Sequence, residues 1–200
     1  QAQSIDELTI INPFSLETPD YQTKVLIHSD ESGIYFGFIN QQPNETRDRR
    51  RHARDGLREN HDRNIVVVDL DNTGNTAYML GIALGKSVLD YTITNENEID
   101  GDWDGEWFAE TSENDENWYS EFFIPWNMAP MNKQDEEKRT IGVSVSRMIQ
   151  HLGIGIGFPA ASFQRSEFLS VLHKVEVVQA NPKSLDFFPY TVANNDFITD

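Results

Sequence analysis

The segment DGDWDGEWFAETSENDENWYSEFFIPW, Asp100 to Trp126, holds the groups in this chain best suited to grip a ligand. It contains all four tryptophans, Trp103, Trp107, Trp118 and Trp126, set among carboxylates. An indole can stack on the apolar face of a sugar ring while neighbouring polar groups take its hydroxyls. The same rings can simply fill a core. Trp107 and Trp118 fall inside strand-like runs and read as core. Trp103 and Trp126 lie beside turns, fit either use equally well, and are the platform candidates, with Asn127 as an adjacent hydrogen-bonding group.

Asp100, Asp102 and Asp104, closed by Gly105, match the front half of a calcium loop, with oxygens at alternate positions and then a glycine turn. Thr111 stands where the bidentate glutamate belongs. Glu98, Glu106 or another loop would have to complete a shell of about six to eight oxygens. A second oxygen-rich turn contains Asp69, Asp71, Asn72 and Asn75, which are also ordinary turn residues. Calcium is an admitted cofactor, not a required one.

Glu121 and Arg147 both sit in apolar strand patterns, Arg147 continuing the face of Ile141, Val143 and Val145. A charge in such a place must be paired. The expectation is a buried Glu121–Arg147 ion pair, with Arg147 as a ligand contact the other use of the residue. No catalytic residue stands out. The five histidines lack metal spacing such as HExxH, and there is no nucleophile elbow and no cysteine. Carboxylate pairs abound, but nothing singles one out.

These groups need a scaffold. The chain has 200 residues, enough for one domain with or without a tail. No apolar run approaches the ~20 residues of a membrane span. The net charge of −17 disfavours nucleic acid as a partner. Seven of the sixteen basic residues nevertheless crowd between Arg47 and Arg63, and read as a solvated loop paired to nearby acids rather than an anion site. The start at Gln1 fits a removed signal peptide, as would a trimmed chain.

Short β-rich runs punctuated by Gly, Asn and Asp dominate the rest: residues 23–28, 34–39, 65–71, 76–84, 87–94, 107–111, 118–124, 140–149 and 169–178. Gly37, inside one run, suggests a close backbone approach. The alternation Gly153, Gly155, Gly157 reads as a tight strand or a hinge. About ten strands with almost no helix imply an all-β antiparallel sandwich or barrel. Residues 1–20 read as an irregular arm with a short strand near Leu8–Ile11, residues 21–180 as the β domain, and 181–200 as a linker toward a further C-terminal region.

The ordered set Asp30, Ile34–Phe38, His61-Asp62, Val66–Asp71, Asp90, Asp102–Trp107, Trp118–Trp126 and Arg147 resembles the family 9 carbohydrate-binding-module-like domains of the DOMON-like sandwich type. It is most similar to the version at the N-terminus of large bacterial envelope proteins that continue into an outer-membrane β-barrel-like region. The resemblance implies a β-sandwich of jelly-roll or DOMON-like form. It implies a secreted protein of the periplasm, outer membrane or surface of a Gram-negative bacterium. The expected role is non-catalytic recognition of a carbohydrate or other extracellular ligand, through Trp103, Trp126, Asn127 and Arg147, without membrane insertion by this segment. Two alternatives stay open: an assembly module packing on its own barrel region, and a haem-binding electron-transfer domain with Met79 or Met148 and His151 as axial ligands.

Overall fold

The computed structural model describes residues 3–56, 61–132, 138–161 and 166–178. The linker expected over 181–200 lies outside the described residues. The described residues form thirteen strands: β1 Gln3–Ile5, β2 Thr9–Asn12, β3 Thr23–Ser29, β4 Gly33–Gln41, β5 Arg63–Asp69, β6 Thr76–Ala83 and β7 Val88–Thr94. They continue with β8 Glu98–Asp100, β9 Phe108–Glu113, β10 Asn117–Pro125, β11 Lys138–Ile149, β12 Ile154–Phe158 and β13 His173–Val178. The described residues contain no α-helix, only three short 3-10 turns. None of their helices is long and apolar enough to cross a membrane.

Two antiparallel sheets face each other. One has five strands in the order β1-β3-β4-β10-β9. The other has eight, β2-β12-β11-β5-β6-β7-β8, with β13 also on β11. The twelve-residue β11 makes this possible: one edge pairs with β5, the other with β13 and then β12. The segment read as an irregular arm supplies an edge strand to each sheet, β1 on β3 and β2 on β12.

Period-two alternation drives the five-stranded sheet. Val25, Ile27, Phe36, Phe38, Phe122 and Ile124 point inward against Val66, Val68, Leu80, Ile82, Val143 and Val145 of the other sheet. The unbroken apolar run in β5 has a different cause. Ile65 and Val67 face away from that interior, into a second apolar layer with Ala77, Met79, Leu89 and Ile93. Phe168, Leu169 and Leu172, from the connection between β12 and β13, cover this layer. The strand is therefore buried on both faces, as a continuous apolar run requires.

Residues 101–107 cross from β8, at the edge of one sheet, to β9, at the edge of the other. The buried Asp90 carboxylate holds this crossing: it accepts from the Gly105 N–H at 3.0 Å, the Trp107 indole at 3.1 Å and Arg54 at 2.6 Å. The close backbone approach expected at Gly37 occurs at Gly33 instead, where an added Cβ would lie 2.2 Å from the Ile124 carbonyl oxygen.

The outer apolar layer depends on one large side chain. Replacing the fully buried Phe168 by alanine should cost about 3 kcal/mol or more, as a cavity opens over Met79. Urea unfolding monitored by tryptophan fluorescence measures this; an unchanged midpoint would show that the layer carries no stability.

Candidate ligand-binding site

At one end of the sandwich the interior turns from apolar to polar. Here β4 and β11 end while β3, β5 and β10 begin, and the inward positions are Thr23, Asn40, Asn64, Ser120 and Arg147. Asn40 and Asn64 bond reciprocally across the two sheets, at 2.8 and 3.2 Å. Ser120 donates to Asn64 at 2.9 Å.

Arg147 is the centre of this layer. Only 1% of it is exposed. Its Nη1 donates to Thr23 Oγ1 at 2.8 Å and the Gln22 carbonyl at 3.3 Å; its Nη2 donates to Gln42 Oε1 at 2.7 Å and the Gln41 carbonyl at 3.1 Å. The guanidinium lies 5.6 Å from the Trp118 ring centroid, in cation–π range. Burial pushes its pKa down to about 9, against the attraction of Asp62, so it stays cationic at neutral pH.

Gln42 joins everything else to it. Its Oε1 also accepts from the Trp118 indole at 3.0 Å, and its Nε2 donates to Asp62 at 2.9 Å. Asp62 in turn accepts from the backbone N–H of Asp48 at 2.8 Å and of Gln150 at 2.9 Å.

Four arginines of the loop, Arg47, Arg49, Arg50 and Arg54, pair with acids of the same chain. The buried Arg47 donates to the Gln42 carbonyl at 2.7 Å, to Glu113 at 3.1 Å and to the Asn114 carbonyl at 2.6 Å. Arg49 grips the same Glu113 at 2.7 Å, Arg50 pairs with Asp48 at 2.8 Å, and Arg54 reaches both Asp90 and Asp104. Hydrogen bonds from Arg49 and then Arg47 hold the Glu113 carboxyl below its ordinary 4.5.

Directly outside this polar layer lies a cleft of about 710 Å³, within the size range of small-ligand sites. Tyr21, Ile39 and Pro43 give it apolar surface. Asp6, Asp20, Lys24, Gln41, Glu116 and Asn117 give it hydrogen-bonding groups. Tyr21 is half-buried and packs on the interior cluster, so its ring is held in place. All four groups that accept from Arg147 belong to cleft-lining residues, Gln22, Thr23, Gln41 and Gln42. The buried guanidinium thus fixes the floor.

The expected site residues do not converge on this cleft. Arg147 lies beneath it and cannot reach a ligand. The Glu121–Arg147 pair does not form: Glu121 points to solvent from β10, while Trp118, Ser120, Phe122 and Ile124 point inward. The adjacent Phe122-Phe123 pair hides this parity in the sequence. Trp126 is 5% exposed and donates its indole N–H to the Asp30 carbonyl at 2.8 Å, so it is no platform. The exposed Asn127 follows it at the far end of β10. Trp103 is half-buried at that same far end, 4.7 Å from Tyr78 between ring centroids.

Two carboxylates of the calcium half-loop have partners within the protein. Asp100 accepts the Asp102 N–H at 2.9 Å, and Asp104 takes Arg54 at 2.7 Å. Asp69 caps its own turn through Gly74 at 2.7 Å, and Asp71 binds Arg139 at 2.9 Å. Among the described residues no group of three or more acidic or histidine side chains is arranged to hold a metal. Met79 is buried in the outer apolar layer, whereas His151 is exposed in the turn after β11. The cleft residues Tyr21, Asp20, Lys24, Gln41, Glu116 and Asn117 had no signal in the sequence beyond that of polar strand ends and turns.

No family model and no curated protein sequence matches the chain. Among the solved structures of similar fold are two of a carbohydrate binding module of family 9 from Caldicellulosiruptor kristjanssonii. The complex with cellotriose gives a TM-score of 0.52 at 12% identity, over 92% of this chain and 88% of that one. The complex with glucose gives 0.54 at 13% identity, over the same shares. The chain therefore has a β-sandwich fold like that of these modules. At such identity the likeness is one of fold.

Two outcomes follow from the polar layer. Arg147→Ala removes a donor from four acceptors, of which Gln42 Oε1 keeps the Trp118 indole and the Gln22 carbonyl keeps the Gln41 N–H, and should lower unfolding free energy on the order of 2 kcal/mol in urea titrations; a negligible loss would mean water replaces the guanidinium. Glu113 stabilises the fold fully above its ordinary 4.5, and that contribution is lost as pH falls through its lowered folded value. In Glu113→Gln the gap between urea midpoints at neutral pH and about pH 3 should shrink relative to wild type.

Proposed function

We propose that this chain is a non-catalytic ligand-recognition domain and that its ligand is a carbohydrate. The cleft beside Tyr21 carries the reading. A fixed aromatic ring stands in a cavity of sugar size, ringed by carboxylates and amides, over a floor locked from beneath by Arg147. A sugar ring stacks on Tyr21 through its C–H face. Carboxylates of Asp6, Asp20 and Glu116 accept from its hydroxyls, while Gln41 and Asn117 both donate and accept. The fold shared with modules solved with cellotriose and glucose supports the ligand class.

The wider setting rests on the resemblance described above. The domain belongs to a larger secreted or outer-membrane-associated bacterial protein of the DOMON-like sandwich type, with its own C-terminal barrel-like region as a partner. An assembly role is the second reading. Its support is Phe108 on the edge strand β9, 57% exposed beside Phe123.

Calorimetric titration with glucose and cellotriose, and affinity electrophoresis through gels of soluble cellulose derivatives, xylan and mannan, test the first reading. Tyr21→Ala should weaken binding by about tenfold or more, the loss of one stacked ring. Trp126→Ala should lower stability and leave the affinity of the folded protein intact. Failure of every glycan to bind would leave the assembly reading standing.

A further inference from the structure

Gly37 lies in the middle of the nine-residue strand β4. Glycine weakens a strand interior, so it usually answers a need of the fold. Here none is present. An added Cβ would meet nothing within 4 Å, and the backbone is not in the left-handed region. The empty position faces outward, on the solvent side of the five-stranded sheet. Its cross-strand neighbours are Leu26 on β3 and Glu121 on β10, and Tyr35 and Ile39 flank it along the strand. Gly37 leaves that position bare among these side chains.

The bare position adjoins a row that borders the cleft. Lys24 and Ile39, which line the cleft, form the next cross-strand row, continued by Tyr119. The Tyr119 hydroxyl accepts from Asn114 at 2.9 Å, which holds that ring. On the other side stands a row of four rings: His28, Tyr35, Phe123 and Phe108. Tyr35 and Phe123 stack at 4.8 Å and 21°, so their faces are used on each other. The row makes a wall, not a flat platform. From the Gln41 position to the Tyr35 position the strand advances roughly 20 Å, long enough for an oligosaccharide and longer than a single sugar needs.

We infer that the cleft extends along the outer face of the five-stranded sheet as a lane for an extended glycan chain, with Gly37 left bare to seat it. The inference rests on the carbohydrate reading of the cleft and deepens it from one sugar to a chain. The end unit sits by Tyr21. Further units pass Ile39 and Tyr119, lie over Gly37, and offer hydroxyls to Glu121.

The test compares wild type with Gly37→Thr, by calorimetry with glucose and with cellohexaose and by thermal unfolding. Threonine suits a strand and fills the bare position, so the melting temperature should hold or rise. Wild type should bind cellohexaose about tenfold tighter than glucose or better, and Gly37→Thr should keep glucose binding while the two affinities come within about threefold. A lower melting temperature in Gly37→Thr would give the glycine a structural purpose and overturn the lane. Equal affinities in wild type, or a length gain that survives the substitution, would overturn it too, leaving the cleft reading intact. Silence toward both sugars in wild type would overturn the cleft reading and the lane together.

Discussion

The Gln42 side chain is the joint on which this sandwich turns. Its one oxygen accepts from both the Arg147 guanidinium and the Trp118 indole, and its nitrogen donates to Asp62. Those partners come from both sheets and from the long connection between β4 and β5. A buried cation without such acceptors would be intolerable, since removing a charge from water costs several kcal/mol even after relaxation. The network satisfies both terminal nitrogens of the guanidinium and leaves Arg147 Nε without a hydrogen-bond partner among the described residues. It dictates the register of β11 against β3 and β4 and the path of the chain after β4. The shape of the cleft follows from both.

A polar layer at this end also solves a problem of sealing. The apolar interior has to stop somewhere, and strand ends carry backbone groups that want partners. Arg147 answers two of them, the carbonyls of Gln22 and Gln41, and Arg47 answers those of Gln42, Asn114 and Asp115. Loops that would otherwise be free are thus bonded from below. Their outward side chains start from a fixed backbone, which lowers the ordering cost of binding.

The frame was far more legible than the site. Alternation in β3, β4 and β10, and the unbroken run of β5, mark strands wherever the interior demands apolar side chains. The hairpin of β9 and β10 shows in its two aromatic runs and polar turn. The edge strands β1 and β2 are held by neighbours distant in sequence; the run Leu8–Ile11 marks β2, but no local pattern announces β1 or the three-residue β8, which pairs with the preceding β7. Burial on both faces of β5 needs Phe168, Leu169 and Leu172 from far along the chain. The Glu121–Arg147 expectation failed on one step of parity: with Phe122 and Phe123 adjacent, either could face inward, and the choice flips Glu121 from core to solvent.

Trp118 is core, as its place in a strand-like run implied, and Trp107 packs against the core; Trp126, expected as a platform, is buried too. A large ring with one donor serves a sandwich best where that donor finds an acceptor in the frame, and three of the four indoles are used this way. Trp118 donates to Gln42, Trp107 to Asp90 and Trp126 to the Asp30 carbonyl. Each bond fixes the ring's orientation and withdraws its only polar atom from any ligand. The proposed recognition would use the surface that the frame does not need: strand ends, one half-buried tyrosine, and an outer sheet face whose side chains answer to no interior. Composition cannot separate these from ordinary polar turns. A bare strand position such as Gly37 becomes informative only when the space around it is known, because the absence of a side chain carries meaning only against the neighbours that fail to fill it.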